Sequence, residues 1–114
     1  MSRKVYKLLT QEQWNEALEA GRFEGAPVDL ADGYIHLSDV NQVRETVSKH
    51  FRNSGDLILA AFEEADLGSA LKWEISRGGA LFPHLYDVLD PALATDVFEL
   101  SQNEDGTHSF PAGF

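Results

Sequence analysis

In the stretch DGYIHLS, residues 32–38, an Asp-Gly turn signal stands directly before a short alternating run. Successive side chains of a strand point to opposite faces, so Tyr34, His36 and Ser38 share one face and the two aliphatic residues between them share the other. A strand histidine is in general more often a structural hydrogen-bonding residue than a ligand or a base. Here Ser38 shares its face, and a glycine-punctuated loop at residues 21–33 leads into the strand, so we predict a chemical site at this place.

Two amphipathic helices flank this stretch. Thr10 is predicted to be the N-cap of the first helix, with Gln13 as its capping-box partner, and Gly21 predicts the C-terminal end. The second helix is predicted from about residue 40 to about residue 51, after a Ser-Asp pair that suits an N-cap. Apolar residues recur at helical spacing in both segments, so one side of each helix is expected to face the core.

Strands account for most of the remaining chain. LILAAF, residues 57–62, is the most hydrophobic run and predicts a central strand buried on both faces. VYKLL, residues 5–9, predicts the first strand, and the second half reads as the strands LKWEIS, SRGGALFP, HLYDVL and TDVFELS, with a final Asp-Gly hairpin turn at residues 105–106. The predicted core consists of Leu8, Trp14, Leu18, Ile35, Val43, Val47, Leu57, Leu59, Phe62, Leu71, Trp73 and Phe98.

Helices early in the chain and strands late favour the α+β class. A chain of 114 residues is most simply one domain, residues 1–114. We expect two helices packed on one side of a split, mainly antiparallel sheet of five or six strands.

The composition excludes several classes of site and partner. The chain has no cysteine, which excludes disulfides, thiolate zinc sites and cysteine nucleophiles. No apolar run approaches the roughly 20 residues of a membrane span, so we expect no membrane partner and a cytoplasmic location. A net charge of −10 with only nine lysine and arginine residues argues against sequence-specific DNA binding. Dinucleotide, Walker and nucleophile-elbow motifs are absent.

A second group of polar and aromatic residues lies in KWEISRGGALFPHLYD, residues 72–87. Strand alternation places His84 and Tyr86 on one face, while Arg77 precedes two glycines whose backbone amides allow close approach of a ligand. Glu74 and Arg77 are alternatively a surface ion pair. A metal site made of the two strand histidines and Glu74 has no support in their spacing, so we predict none.

Taken together, an early YK, a Trp-bearing helix, DGYIHLS, LKWE, RGG and FPHLY resemble a bacterial domain-of-unknown-function family, number 952. The resemblance covers residues 5–110 and implies a shared fold unit without an established activity. His50 and His108 lie outside these motifs and are predicted to be surface residues.

The order of motifs is also distantly similar to the ADP-ribosyltransferase superfamily, in particular its RNA 2'-phosphotransferase branch. In this resemblance Tyr6 matches a tyrosine of the first motif, and the run from His36 to Ser38 matches a His-Leu-Ser strand end. Lys7 stands where those proteins have an NAD-contacting histidine, and their catalytic glutamate motif has no clear counterpart. The resemblance implies an ADP-ribosyltransferase-like split sheet and an enzyme that uses NAD for ADP-ribosyl or phospho transfer.

The proposed site joins both groups of residues. The resemblance implies that its small-molecule ligand is NAD or a related ADP-ribosyl or phosphorylated nucleotide. Cleavage of the nicotinamide to ribose bond passes through an oxocarbenium-like state that needs a carboxylate near the sugar and donors for the phosphates. The predicted catalytic residues are His36, Glu74 and His84, with Asp32 as a second source of the carboxylate, and the predicted cofactor-binding residues are Tyr6, Lys7, Ser38, Arg77 and Tyr86. The alternative is a non-catalytic small-ligand or protein interaction module in which these residues form a structural hydrogen-bond network.

Overall fold

The structure of the protein is a computed structural model that describes residues 3–114, apart from the side chain of Arg77. The helices and strands follow one another as β1 (Lys4–Thr10), α1 (Gln11–Ala20), α2 (Pro27–Asp32), β2 (Ile35–His36), α3 (Val43–His50), β3 (Leu57–Glu63), α4 (Glu64–Leu67), β4 (Leu71–Ile75), β5 (Leu81–Leu85) and β6 (Asp96–Leu100). Short 3-10 turns occupy Gly68–Ala70, Arg77–Gly79 and Pro91–Leu93.

The strands form two antiparallel three-stranded sheets, with the orders β1-β3-β6 and β2-β5-β4. The chain that leaves β2 connects them, because Ser38 and Tyr6 exchange two backbone hydrogen bonds of 2.8 and 2.9 Å. The predicted α+β class with antiparallel pairing is confirmed. The joint between the two sheets brings DGYIHLS against the first strand of the chain.

The central strand β3 supplies the middle of the core, as LILAAF predicts. Its residues 57–62 are all buried, and β1 and β6 pair with it on either side. Most of the predicted core is confirmed as buried, namely Leu8, Trp14, Ile35, Val43, Val47, Leu57, Leu59 and Phe62. Leu71, Trp73 and Phe98 lie half-buried at its margin. None of the helices within residues 3–114 combines the length and the apolar character that crossing a bilayer requires.

The first helix has the predicted caps, although its apolar face is narrower than predicted. Thr10 and Gln13 form the reciprocal capping box at 3.0 and 3.1 Å, and Gly21 ends the helix in the left-handed conformation. Trp14 is buried, whereas Leu18 is 53% exposed, so its assignment to the core is wrong. A ten-residue helix lying at the edge of the core buries a single line of side chains, and Leu18 is turned away from that line.

The segment at residues 21–33, predicted to be a loop, contains a helix. Pro27 at the first position of α2 has the backbone angle that a helix needs, and Asp29 at the third position accepts a hydrogen bond from the Ala26 amide at 2.8 Å. These local signals outweigh the composition of proline, glycine and aspartate. The prediction of an unstructured loop is therefore wrong.

The other differences concern the ends of elements. Residues 39–42 form a turn in which Asp39 accepts amide hydrogen bonds from Asn41 and Gln42, so α3 starts at Val43 rather than near residue 40. The two strands predicted from SRGGALFP and HLYDVL are one strand, β5, because the chain turns at Arg77–Gly79 and again after Leu85. The final hairpin is reduced to a turn with a single bridge between Gln102 and His108.

Candidate functional site

Asp29 is the centre of a buried polar network at the joint of the two sheets. The residue is 2% exposed, and its carboxylate lies 3.0 Å from the Lys7 ammonium and 2.7 Å from Nδ1 of His36. Backbone amides of His36 and Ala26 donate to the same carboxylate at 3.1 and 2.8 Å. Both carboxylate oxygens are thus hydrogen-bonded, as a buried charge requires.

Lys7 completes this network from the middle of β1, where residues 5–9 are all buried. Its ammonium also donates to the backbone carbonyl of His36 at 2.9 Å. A lysine within a run of core residues needs an opposite charge, because such residues are almost never fully buried unless paired. That position is the one signal in the sequence that points to Asp29, which the motif analysis missed.

The pKa values of Lys7 and Asp29 are both lowered, for different reasons. Burial lowers the pKa of Lys7, and the nearby Asp29 carboxylate offsets part of that effect. Burial alone raises the pKa of Asp29, but the Lys7 charge and the hydrogen bonds from His36 and Ala26 act more strongly in total, so its pKa lies below the usual range. The 3.0 Å contact between Lys7 and Asp29 thus joins two buried groups whose pKa values are both lowered.

His36 lies between two carboxylates. Nδ1 contacts the buried Asp29, and Nε2 lies 2.9 Å from Asp32, whose side chain is 46% exposed. Both ring nitrogens are thus in hydrogen-bonding range of an acceptor, which defines the position and rotation of the imidazole. A ring held in this way can receive a proton at one atom and return it at a defined place.

His84 has its own carboxylate. It lies directly opposite His36 in the pairing of β2 with β5, with 5.6 Å between the ring centroids. Nδ1 of His84 is 2.9 Å from Glu74, and the Tyr86 hydroxyl donates to the same carboxylate oxygen at 2.6 Å. The Tyr34 ring stacks on His84 with the centroids 4.1 Å apart. The imidazole is 3% exposed and is held on both its edge and its face.

The hydrogen bond between Tyr86 and Glu74 changes the titration of both groups. It is the largest cause of the lowered pKa of Glu74, to which the hydrogen bond from His84 adds. The same bond raises the pKa of Tyr86 to about 12. At neutral pH an ionised Glu74 therefore accepts from a protonated Tyr86.

The two histidines open onto a cavity of about 660 Å³. Ser38 and Thr46 contribute hydroxyls to its wall that are 3.0 Å apart and hydrogen-bonded to each other. Its lining comprises Tyr6, Lys7, Leu8, Val28, Asp32, His36, Leu37, Ser38, Thr46, His50, Phe51, Ser76, Phe82 and His84. Imidazole, hydroxyl and aromatic groups thus share one concave surface.

The structure brings together five of the eight residues predicted for the site, namely Tyr6, Lys7, His36, Ser38 and His84. Glu74 and Tyr86 contact His84 and are outside the lining of the cavity. Arg77 belongs to the turn that follows β4, and its side chain lies outside the described residues. Within the described part of the chain, no group of three or more histidine, aspartate or glutamate side chains is arranged to hold a metal ion.

The prediction that His108 is a surface residue is wrong. The residue is 9% exposed, and Nε2 of its ring lies 2.7 Å from the Gly55 carbonyl. His50, in contrast, is exposed, as predicted, at the end of α3 and on the wall of the cavity.

A family model described as a protein of unknown function, DUF952, matches residues 8–97 of the chain. The chain belongs to the DUF952 family. This DUF952 protein is similar to the crystal structure of protein CC0527 from Caulobacter crescentus, with 48% identity, 93% of each chain covered and a TM-score of 0.89. The solution NMR structure of CC0527 gives 50% identity, 90% and 89% coverage of the two chains and a TM-score of 0.79. No curated protein matches the chain.

The predicted membership of family 952 is confirmed by this match. The similarity to CC0527 extends over almost the whole of both chains, so the fold described above is shared with that protein. A shared fold does not by itself carry an activity, so the function of this DUF952 protein must be argued from its site.

The carboxylates of the site predict a loss of stability in acid. A carboxyl group whose folded pKa is lowered contributes stability that is present above its unfolded pKa and lost as the pH falls through the folded pKa. Because the pKa values of Asp29 and Glu74 are both lowered, the free energy of unfolding is expected to decrease as the pH falls through the carboxyl range. Urea unfolding at a series of pH values measures this. In the Asp29→Asn variant the acid limb, which is the decrease of the unfolding free energy at low pH, should be less steep. An equally steep limb in the variant would contradict the assignment to Asp29.

Proposed function

We propose that the cavity between DGYIHLS and FPHLY binds NAD or a related ADP-ribosyl or phosphorylated nucleotide, and that the DUF952 protein is an ADP-ribosyl or phospho transferase. The observation that carries the proposal is the convergence of Tyr6, Lys7, His36, Ser38 and His84 on one cavity. In the resemblance to ADP-ribosyltransferases, Tyr6 and the run from His36 to Ser38 are the residues of the first two motifs. The backbone bridge between Tyr6 and Ser38 places these motifs side by side.

The chemical groups of the cavity suit a nucleotide. Its volume of about 660 Å³ lies in the range of small-molecule sites, roughly 300–1,000 Å³. Phe51 and Phe82 provide aromatic surface for a planar base or ring, and Ser38 provides a hydroxyl for ribose or phosphate oxygens. Because Asp29 neutralises Lys7 and both ring nitrogens of His36 contact carboxylates, we assign the phosphate to the imidazole of His84 and the hydroxyl of Ser38.

The roles of the carboxylates follow from their positions. Asp32 lines the cavity and is the carboxylate placed to face a sugar that develops positive charge. Asp29 and Glu74 each hold a histidine by its Nδ1, so they act as positioning residues for His36 and His84. When bound, NAD would supply the bond between nicotinamide and ribose, and the protein's own groups would orient the ligand and move protons at the two imidazoles.

A second candidate function is the non-catalytic module, and one observation favours it. Lys7 and Asp29 are 5% and 2% exposed and satisfy each other's hydrogen-bonding groups without any ligand. A network of this kind can serve to hold the two sheets in register. The two candidates differ in whether the cavity binds a nucleotide.

Titration of the ¹⁵N-labelled protein with NAD and with ADP-ribose tests the proposal. Binding is expected to shift the amide signals of His36, Ser38 and His84, because these residues form the polar wall of the cavity. Inorganic phosphate is the matched control, since it carries the charge without the base and ribose. If neither nucleotide moves these signals at millimolar concentration, the proposed function is wrong.

A further inference from the structure

We propose that the DUF952 protein has a second, separate binding site, a small cavity that takes one tetrahedral oxyanion, either free phosphate or the phosphoryl group of a larger molecule. The cavity lies between α3 and the turn at residues 103–108, and its polar wall consists of Arg44, Ser48, Arg52, Thr107 and His108. No step of the proposed transfer reaction uses these residues.

This small cavity is separate from the cavity of about 660 Å³ for which we propose nucleotide binding. Thr46 and His50 of α3 line the cleft, whereas Arg44 and Ser48 of the same helix line the small cavity. Its volume is about 90 Å³, which corresponds to about three water molecules at roughly 30 Å³ each. That space suits a single phosphate group and is too small for a nucleoside.

Positively charged residues line the small cavity, although the protein as a whole is negatively charged. The chain has a net charge of −10 and nine lysine and arginine residues, and two of the nine lie at this one small cavity. One N–H of Arg44 donates to the Phe114 backbone oxygen at 2.6 Å, and one N–H of Arg52 donates to the Asp105 carbonyl at 3.0 Å. The Arg44 guanidinium also lies over the Phe110 ring, 4.5 Å from its centroid. A guanidinium has five N–H donors, so each arginine retains donors for an oxyanion beside these contacts.

His108 supplies the observation that points to a ligand. The Gly55 carbonyl can only accept, so Nε2 of His108 donates to it at 2.7 Å. Nδ1 of the same ring is buried and has no hydrogen-bond partner among residues 3–114 as described. An unpaired buried polar atom is costly and rare in native proteins. The His108 ring lines the cavity together with the two arginines, and in its imidazolium form Nδ1 carries a proton that an oxyanion would accept.

The carboxylate of Asp105, in the turn at residues 103–108, accepts hydrogen bonds from within that turn. The Asp105 carboxylate accepts from the Thr107 hydroxyl at 2.6 Å and from the Thr107 amide at 3.0 Å. These hydrogen bonds lower the pKa of Asp105, and the charge of Arg52 adds to the effect. Asp105 therefore shapes the turn, and its charge interacts with that of Arg52.

The test is a titration with inorganic phosphate at constant ionic strength, followed by amide signals and by the ring signals of His108. Phosphate is expected to shift Ser48, Gly106, Thr107 and His108. Arg52→Gln removes one charge, and His108→Gln retains a donor for Gly55 while it removes Nδ1. Each variant should weaken phosphate binding by about tenfold to a hundredfold, the loss expected for one hydrogen bond to a charged group.

Lys49→Gln is the matched control, because it removes one positive charge from the same helix. The Lys49 side chain is 55% exposed, pairs with Glu45 at 3.4 Å and is outside the cavity. Its phosphate affinity should equal that of the unmodified protein.

Glycerol 3-phosphate, as a second probe, identifies the source of the ligand: binding of both probes indicates a phosphoryl group, and binding of phosphate alone indicates the free ion. The proposal is overturned if phosphate leaves the His108 signals in place, or if Lys49→Gln weakens binding as much as Arg52→Gln does.

Discussion

Replacement of Asp29 by asparagine is expected to lower the free energy of unfolding by about 3–5 kcal/mol, the usual cost of breaking a buried ion pair. The change leaves the Lys7 ammonium buried, at 5% exposure, without its counter-charge. It also replaces one of the acceptors of Lys7 and His36 by an amide group that must donate. Chemical denaturation monitored by circular dichroism measures the loss.

Asp32→Asn is the control for this prediction, because Asp32 contacts the other nitrogen of the same His36. Its side chain is 46% exposed, and an ion pair of that kind contributes about 0–1 kcal/mol. In a double-mutant cycle, Lys7→Met should restore part of the stability lost in Asp29→Asn, since it removes the uncompensated charge. A loss below about 1 kcal/mol in Asp29→Asn would show that the ion pair does not hold the two sheets together.

The second large effect is expected in the binding of NAD or ADP-ribose. His84→Ala should weaken nucleotide binding by about tenfold to a hundredfold, because it removes a hydrogen bond to a charged ligand worth about 1.5–3 kcal/mol. His36→Ala should also weaken binding, because it removes the ring that holds the cavity carboxylate Asp32 in place. Isothermal titration calorimetry at a temperature where all variants are folded measures the affinity. Unchanged affinity in both variants would contradict the proposed roles of the two histidines.

Lys72→Met is the matched control for the histidine variants. Lys72 lies directly opposite His84 in the pairing of β4 with β5, is exposed and stands outside the lining of the cavity. The variant removes a positive charge near the cleft without removing a cavity group, so it should bind the nucleotide normally. If the histidines serve only the structural network, His36→Ala and His84→Ala should lower the melting temperature by several degrees, and neither nucleotide should bind any of the proteins.

Some positions of the predicted site residues follow from local sequence alone, and others depend on the pairing of strands. The alternation in DGYIHLS predicted that His36 and Ser38 share a face, and both line the cavity. Leu37 lines it too and Tyr34 does not, because the regular strand ends at His36. The same alternation placed His84 and Tyr86 on one face but could not say that Glu74 would contact both. That contact depends on the register between β4 and β5, which pairs Glu74 with Phe82 and brings it diagonally next to His84.

The largest omission of the sequence interpretation was Asp29. It lies in a segment whose one proline and three glycines suggested a loop, although Pro27 and Asp29 are well placed to start a short helix. The signal that could have identified it is Lys7, which is charged and yet lies in a run of core residues. Such a lysine predicts a buried acid, but it cannot indicate which of the 19 aspartate and glutamate residues is the partner.

The sequence by itself determined the family, the α+β class, the capping box at Thr10, the buried strand LILAAF and the polar face of DGYIHLS. These features depend on residues a few positions apart, so composition and periodicity are enough to recognise them. Only the tertiary structure decided that Lys7 meets Asp29 across 22 positions, and that Arg52 and His108 line one cavity. Contacts over such separations are set by strand register and by the packing of helices on sheets, which no local pattern encodes.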